Sequence, residues 1–542
     1  MSTMEPKEGE VSGASGADGA GRVIAAIDIG SSAIRLDIGE VGAQGDVRIL
    51  ESLRHGVQLG RDVFTKGRIQ QDTLRRSISV LKNYDRLLKE YGVTRPDQIR
   101  AVATSFAREA PNRDMFVDRI STATGMMVRV LEESEEARLT YLAVRDILEA
   151  NGLLNAKNVA VMEIGGGQTI LLYIRNGKVM VAQAFRSGAL RTHEQLEASG
   201  REGPQARKIL KAYAAELIDQ MRQSVPSERF TAFVVMGAGA RFAAEQAVDA
   251  VRGGDRRVTT VATPRMVELA ERVAITATDQ LAKTHHMTHQ DAATVAPAIM
   301  TMAHAARAFK VKELHIVRAT LRDGLLREMA MRDYRSEGFE EQVLYSARNM
   351  AVKFDVDENH SRNVESAAAA LFDVLQSDHM LKSHDRLLLR CAAMLHDVGM
   401  FLSNRAHHKH SMYLIQNSDL FGLTRHDMRI VAIVSRYHRK AVPNPSHPEF
   451  ALLPLEDRMT VVKQAALLRV ADALSRTHRD VPPELEFRRE ANRFVILMHG
   501  VDDLTMERLV LRERGNLFAD VFGMVPELRE ARALPSERNA MG

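Results

Sequence analysis

The stretch AVMEIGGGQTILLYIRNGKV, residues 160–179, contains the features that decide the fold. An apolar run ends at a carboxylate, Glu163, and only Ile164 separates it from three consecutive glycines, residues 165–167. A second apolar run then reaches Asn176 and Gly177, a pair typical of a two-residue hairpin turn. We therefore predict two antiparallel strands joined by a turn whose backbone carries no side chains, followed by a third strand.

The same pattern occurs 135 residues earlier in the chain. Aligning Asp28 with Glu163 places AIDIGSSAIRLDI (26–38) on VMEIGGGQTILLY (161–173), with Gly30 on Gly165. Another apolar run, FTAFVVMGAGAR (230–241), ends in a third glycine turn at Gly237 and Gly239. A duplicated strand-turn-strand unit predicts two related lobes.

The segments around these units predict an α/β region followed by a helical one. Helical patterns at 67–91, 109–124 and 132–150 alternate with strand patterns at 99–105 and 127–131. From about residue 262 to 480 the pattern is nearly all helical, and strand-like runs return after residue 483. We therefore predict five parts: a disordered tail (1–21), a first lobe (22–150), a second lobe (151–335), a helical domain (340–482) and a small α+β module (483–542).

The composition predicts an ordinary cytoplasmic enzyme. Cys391 is the single cysteine of 542 residues, so no disulfide can form within the chain and a reducing compartment is expected. Lysine and arginine number 74 against 70 acidic residues, which does not call for a specific nucleic-acid partner. No apolar run approaches the ~18 residues that a membrane span needs, so we expect no membrane association.

A carboxylate followed by a bare glycine turn suits phosphate chemistry. Glycine allows the backbone to approach an anion closely, and free N–H groups in such a turn converge on it. Two such turns facing each other would bind successive phosphates, while Asp28 and Glu163 could hold a divalent ion or orient water. The simpler alternative is that the two carboxylates only cap their turns.

Five segments in order resemble the Ppx/GppA family, the exopolyphosphatases and guanosine pentaphosphate phosphohydrolases. They are AAIDIGSSAIRL (25–36), ATSFAREAPNRDMF (103–116), EEARLTYLAV (135–144), EIGGGQTILL (163–172) and FRSGALRTHE (185–194). The resemblance implies an α/β fold of duplicated actin-like (ribonuclease H-like) lobes. It also implies hydrolysis of inorganic polyphosphate or guanosine pentaphosphate, and a homodimer.

The resemblance assigns roles to particular residues. Glu136 should be the general base that activates water, and Arg108 should neutralise the terminal phosphate. Glu163 should take part in binding Mg²⁺ in the lobes. The phosphate should be bound by Asp28, Gly30, Ser31, Ser32, Gly165, Gly166, Gly167, Gln168, Gly237 and Gly239.

Three positions of the second glycine turn depart from the family pattern. Glu163 replaces an aspartate, Gln168 a serine and Ile170 a glutamate. Glu163 is one methylene longer than aspartate, which would displace a bound ion or water by about 1 Å, enough to slow a well-aligned reaction ~10²-fold. The alternative hypothesis is therefore a sensor that binds polyphosphate or a guanosine polyphosphate without hydrolysing it.

The helical region carries a second candidate site. His360, His396, Asp397 and Asp472 follow the order found in HD-type metal phosphohydrolases, and further histidines occur nearby at 407, 408, 410 and 438. Imidazoles and carboxylates suit Mn²⁺, Fe²⁺ or Zn²⁺. Gly399 would let the backbone turn so that both His396 and Asp397 can ligate. The alternatives are a set of ordinary core and surface histidines, or an HD-type enzyme that the two lobes regulate.

Overall fold

The computed structural model describes residues 22–531 except 44, 202, 226–228, 247–250, 253–256, 332–336, 478–479 and 502. The predicted disordered tail, residues 1–21, lies outside the described residues, as do residues 532–542. Within the described residues, no helix combines the length and the apolar character that crossing a membrane requires.

The first lobe is built on a five-stranded sheet. Its strands are β1 (Arg22–Ile29), β2 (Ala33–Val41), β3 (Val47–Gly56), β4 (Ile99–Ala103) and β5 (Val128–Val130), in the order β3-β2-β1-β4-β5. The strands β1, β2 and β3 are antiparallel, whereas β1, β4 and β5 run parallel. The helices are α1 (Leu59–Lys66), α2 (Gln71–Glu90), α3 (Ser105–Glu109), α4 (Arg113–Thr124) and α5 (Glu133–Ala150).

The second lobe is built on a seven-stranded sheet in the order β10-β11-β12-β9-β6-β7-β8. The strands are β6 (Asn158–Ile164), β7 (Thr169–Arg175), β8 (Lys178–Phe185), β9 (Ala232–Met236), β10 (Val251–Arg252), β11 (Val258–Ala262) and β12 (Glu313–Val317). The helices are α6 (Ala189–Ala198), α7 (Gly203–Ser224), α8 (Ala238–Gln246), α9 (Thr263–Val273), α10 (Thr278–Thr284), α11 (His289–Ala308) and α12 (Leu321–Ala330).

The two sheets repeat the same hairpin. In β1–β2 the residue opposite Asp28 is Arg35, and in β6–β7 the residue opposite Glu163 is Ile170. The N–H of Gly30 donates to the carbonyl of Ala33 at 3.0 Å, and Gly165 donates to Gln168 at the same distance. The first strand of each hairpin also pairs in parallel with a later strand, β4 or β9. The offset of 135 residues therefore holds for the hairpin register and for the turn.

The strand β12 departs from the prediction of a nearly all-helical chain after residue 262. Glu313–Val317 pairs in parallel with β9 and antiparallel with β11. A five-residue apolar run between two helices has too few positions to distinguish the strand period from the helix period. The following helix, α12, then packs on α5 and β1, where Leu325 is buried with Ile24 and Val102.

The rest of the chain is mainly helical and shares one hydrophobic core. The helices are α13 (Glu337–Lys353), α14 (Glu358–Val374), α15 (Gln376–His379), α16 (Ser383–Leu395), α17 (His407–Gln416), α18 (Arg425–Arg436), α19 (Pro448–Ala451) and α20 (Leu455–Leu474). A small sheet follows, with β13 (Leu485–Glu490), β14 (Arg493–Met498), α21 (Thr505–Arg514), α22 (Asn516–Phe522) and β15 (Val525–Glu530). Phe494 and Phe518 of this last segment are buried in the same core as Leu389 and Leu467.

Candidate functional site

The glycine turns meet in one cleft between the two lobes. The cleft has a volume of about 140 Å³, and both Asp28 and Glu163 line it together with Glu136. All residues that the sequence assigns to phosphate binding line this cleft: Asp28, Gly30, Ser31, Ser32, Gly165, Gly166, Gly167, Gln168, Gly237 and Gly239.

Close approach of the loops explains two of these glycines. A Cβ on Gly167 would lie 2.3 Å from the hydroxyl of Ser105, which belongs to the first lobe. Gly237 has a φ of +118°, and a Cβ there would lie 2.5 Å from the carbonyl oxygen of Ile164. Any larger residue would move one loop away from the other or strain the backbone. The bare backbone that the sequence predicts is therefore a requirement of the fold.

Arg108 connects the candidate base to the second lobe. Its Nη1 donates to Oε2 of Glu136 at 2.9 Å and to the carbonyl of Leu131 at 2.6 Å, and its Nη2 donates to Oε1 of Gln168. Glu136 lies in the first turn of α5, where the helix dipole favours a negative charge. The amide Nε2 of Gln168 is buried without a hydrogen-bond partner. The arrangement leaves a donor facing the space beside a carboxylate.

Two carboxylates of the cleft have raised pKa values. Burial raises the pKa of Glu136, and the charge of Arg108 opposes this effect. Burial and the charge of Glu136 raise the pKa of Glu163 to about 7, although Thr140 donates to its Oε2 at 2.5 Å. A nearby cation would favour the ionised form of both side chains. Mg²⁺ commonly binds one or two carboxylates together with phosphate oxygens and water, so this pair fits such an ion.

Three arginines of the cleft escaped the sequence analysis. Arg35 and Arg322 approach Oδ2 of Asp28 to 3.5 and 3.7 Å, and Arg322 also contacts Asp37 at 2.6 Å. Arg241, at the start of α8, is the third. Arg35 could have been found from the predicted hairpin, because it lies opposite Asp28. Arg322 gave no local signal, since it follows the strand that was read as helix.

The helical region brings the four predicted metal residues together. His360, His396 and Asp472 form one group whose potential ligand atoms lie within 4.8 Å of one another, and Asp397, His407 and His438 form another. Oδ2 of Asp397 faces His396 at 3.5 Å, whereas its Oδ1 faces His407 at 3.3 Å. Asp397 therefore lies between the two groups. Within the described chain, neither group includes His408 or His410.

The hydrogen bonds of the four histidines fix their ring orientation. Each Nδ1 is paired with a backbone carbonyl: those of Ser475, Ala393, Asn404 and Ser435, for His360, His396, His407 and His438 respectively. If each Nδ1 carries the proton, each Nε2 offers a lone pair to the shared space. Burial lowers the pKa of all four rings, which favours the neutral form.

Two of these lone pairs face each other directly. Nε2 of His407 and Nε2 of His438 are 3.2 Å apart. With both rings held as Nδ1–H tautomers, neither Nε2 can donate to the other, so a cation is the partner that both atoms can share. The chemistry of this donor set fits a transition metal better than a core without a ligand.

The surroundings of the metal residues modify one sequence-based idea. The φ of Gly399 is not in the left-handed region; instead, a Cβ there would lie 2.2 Å from the carbonyl of His407 and 2.3 Å from the nitrogen of Ser411. Gly399 is therefore required for the close packing of the 3₁₀ turn Val398–Phe401 against α17, not for a reversal of the backbone. On the other side, Arg514 of α21 contacts Oδ2 of Asp472.

Comparison with known proteins identifies the family. The sequence model of the Ppx/GppA phosphatase family matches residues 38–333, and that of Ppx/GppA phosphatase domain III matches residues 344–507. The chain belongs to the Ppx/GppA phosphatase family. The family contains metal-dependent phosphatases, and this member carries groups of side chains that could hold metal ions.

Solved structures resemble the two lobes of this Ppx/GppA member. An exopolyphosphatase from Cytophaga hutchinsonii has a TM-score of 0.50 and 19% identity, with 57% of this chain and 98% of that chain covered. An exopolyphosphatase-like protein gives 0.50 and 18%, covering 57% and 99%. An Aquifex aeolicus member of the Ppx/GppA family gives 0.47 and 22%, covering 57% and 98%. At these identities the likeness shows the fold alone.

Proposed function

We propose that the cleft removes the terminal phosphoryl group from inorganic polyphosphate or guanosine pentaphosphate. The observation that carries this proposal is the contact of Arg108 with both Glu136 and Gln168, at the place where the two glycine turns meet. A cation, a buried carboxylate and several backbone N–H groups converge there. Phosphoryl transfer needs this set, because it depends on positioning and charge stabilisation.

Each group of the cleft has a definite task in this proposal. The N–H groups of the turns at 30–32 and 165–168 bind the non-bridging oxygens of the terminal phosphoryl group. Arg108 offsets the charge that develops on those oxygens, and the Nε2 of Gln168 supplies a further donor. Glu136 takes a proton from the attacking water, for which a carboxylate with a raised pKa is better suited than an ordinary one.

Glu163 would hold the Mg²⁺ ion of the lobes, and Asp28 serves mainly to position arginines. When bound, Mg²⁺ would neutralise phosphate oxygens and lower the barrier to their displacement. Asp28 already faces Arg35 and Arg322, so it orients two cations towards the cleft. Ile170 lies opposite Glu163 in the hairpin and can supply no ligand of its own.

Phosphate release from polyphosphate and from guanosine pentaphosphate tests the proposal. Glu136→Gln should abolish release from the true substrate while leaving its binding nearly intact, and Glu133→Gln, at the start of the same helix, should retain activity. Binding without any release by the wild type would instead favour the sensor hypothesis, which the changes at Glu163, Gln168 and Ile170 motivate.

A second candidate function lies in the helical region, about residues 340–482, as an HD-type metal phosphohydrolase. The observation in its favour is the pair of facing Nε2 atoms of His407 and His438, next to the group of His360, His396 and Asp472. These residues would hold Mn²⁺, Fe²⁺ or Zn²⁺, and a bound metal supplies hydroxide near neutral pH. Activity that is lost in His396→Ala but kept in Glu136→Gln would assign the reaction to this site.

A further inference from the structure

The cleft contains one arginine that has no partner in the described part of the chain. Arg241 lines the cleft at the start of α8, just after the Gly237 turn. Its guanidinium makes neither a hydrogen bond nor an ion pair with any described residue, although the side chain is half-buried. By contrast, Arg108 pairs with Glu136, and Arg35 and Arg322 face Asp28.

The surroundings of Arg241 make this position costly for a cation. Burial lowers its pKa, and the charges of Arg35 and Arg322 lower it further; the carboxylates of Glu245 and Asp323 offset only part of this effect. A half-buried charge without a partner loses hydration and gains nothing in return. An anion bound in the cleft would supply the missing partner.

Arg241 lies apart from the groups that surround the reacting phosphoryl. Arg108 is fixed by Glu136, Gln168 and the carbonyl of Leu131. The charges that act on Glu136 are those of Arg108, Asp28 and Glu133, whereas Arg241 acts on Glu163. The cleft therefore has two places that lack an acceptor: the Nε2 of Gln168 beside Arg108, and the guanidinium of Arg241 beside the Gly237 turn.

We propose that Arg241 binds the phosphoryl group next to the one that reacts, so that the cleft selects substrates with at least two linked phosphoryl groups. This inference rests on the proposed function of the lobes and adds a specificity-determining residue to it. Arg241 should contribute to the binding of tripolyphosphate, which can occupy both places, and little to that of orthophosphate, which occupies one.

Binding of tripolyphosphate and of orthophosphate tests the inference. The titrations use the full-length Glu136→Gln protein, so that tripolyphosphate is not consumed, and compare it with the same protein carrying Arg241→Gln, Arg241→Lys or Arg272→Gln. Arg272 is an exposed arginine of α9 and serves as the matched control. Loss of one charge-assisted contact should weaken tripolyphosphate binding roughly 10- to 100-fold in Arg241→Gln. Arg241→Lys should recover part of this affinity, and Arg272→Gln should bind as the parent does.

Orthophosphate affinity provides the decisive contrast. Under the inference it changes by less than about threefold in Arg241→Gln, and in the otherwise wild-type enzyme the same substitution raises KM for tripolyphosphate with little change in kcat. Equal weakening of both anions, or of neither, would overturn the inference. If Arg241→Gln fails to fold, Arg241→Lys with parental affinity and Arg241→Met with lost affinity provide the same decision.

The outcomes separate this inference from the proposed function. A wild-type protein that releases phosphate, with tripolyphosphate affinity independent of Arg241, would contradict the inference and leave the hydrolase in place. A wild-type protein that binds tripolyphosphate through Arg241 but releases no phosphate would contradict the hydrolase and support the inference. Absence of tripolyphosphate binding would overturn both.

Discussion

Nη1 of Arg108 lies 2.9 Å from Oε2 of Glu136, and both side chains are largely buried in the cleft between the lobes. Two opposing effects act on the glutamate, because burial raises its pKa while the guanidinium lowers it. The direction that prevails is upward. Arg108 thus keeps a buried carboxylate ionisable and, through Gln168, ties its position to the second glycine turn.

Arg108→Gln should slow phosphate release about 10²- to 10³-fold, because it removes the charge that stabilises the transition state. Removal of the same charge should raise the pKa of Glu136 further, so the acidic limb of the kcat profile should move to higher pH. Arg113→Gln, at the start of α4, is the control. A limb that moves to lower pH, or a kcat within threefold of wild type, would contradict the assignment of Arg108.

Glu163 should make the stability of the metal-free protein depend on pH. Its pKa rises from an ordinary 4.5 to about 7 in the fold, so the folded state retains a proton that the unfolded state releases. This contribution is complete below about pH 4.5 and is lost as pH rises through 7, by an amount on the order of 3 kcal/mol. Glu163→Gln should therefore unfold at higher denaturant concentration than wild type at pH 8, but not at pH 4.5. Parallel profiles for the two proteins would exclude the raised pKa.

Gly167→Ala should weaken the binding of polyphosphate, because its Cβ would lie 2.3 Å from the hydroxyl of Ser105 and 2.8 Å from the ring of Phe64. The turn must then move, and the N–H groups of the turn no longer converge on one anion. Gly56→Ala meets only the flexible side chain of Gln290 at 3.3 Å and is the matched control. Equal affinities of the two variants would show that the close approach of the loops is unimportant for binding.

His407→Ala should reduce the metal content of the purified protein after growth with manganese, measured by plasma mass spectrometry. The substitution removes one Nε2 of the facing pair and leaves His438 with Asp397 alone. His408→Ala changes the adjacent residue, which belongs to neither metal group, and should leave the content unchanged. An identical metal content in both variants would show that His407 holds no ion.

The local parts of this architecture could be predicted from the sequence, and the long-range parts could not. The strand-turn-strand unit is specified within about 14 residues, so Asp28 and Glu163 were found together with their glycines. Glu136 has no such local pattern, and only the resemblance to the family indicated it. Arg241 and Arg322 reach the cleft because β9 and β12 lie in the same sheet as β6. That pairing depends on contacts between distant segments, which periodicity cannot reveal.

The helical region shows the same division. The order of His360, His396, Asp397 and Asp472 pointed to a metal site, but their division into two groups depends on how α14, α16, α17 and α20 pack. His407 and His438 were noticed only as neighbours in a histidine-rich sequence. Their facing nitrogens follow from hydrogen bonds of each Nδ1 to the backbone, which no sequence pattern specifies.

The initial rate of phosphate release from polyphosphate by Glu136→Gln tests the central claim most directly. The account predicts a loss of at least about 10²-fold relative to wild type, because a general base typically contributes 10²- to 10⁴-fold, with polyphosphate affinity nearly unchanged. Glu133→Gln should retain the wild-type rate. A Glu136→Gln protein that releases phosphate as fast as wild type would contradict the claim that this cleft is where the phosphoanhydride bond is broken.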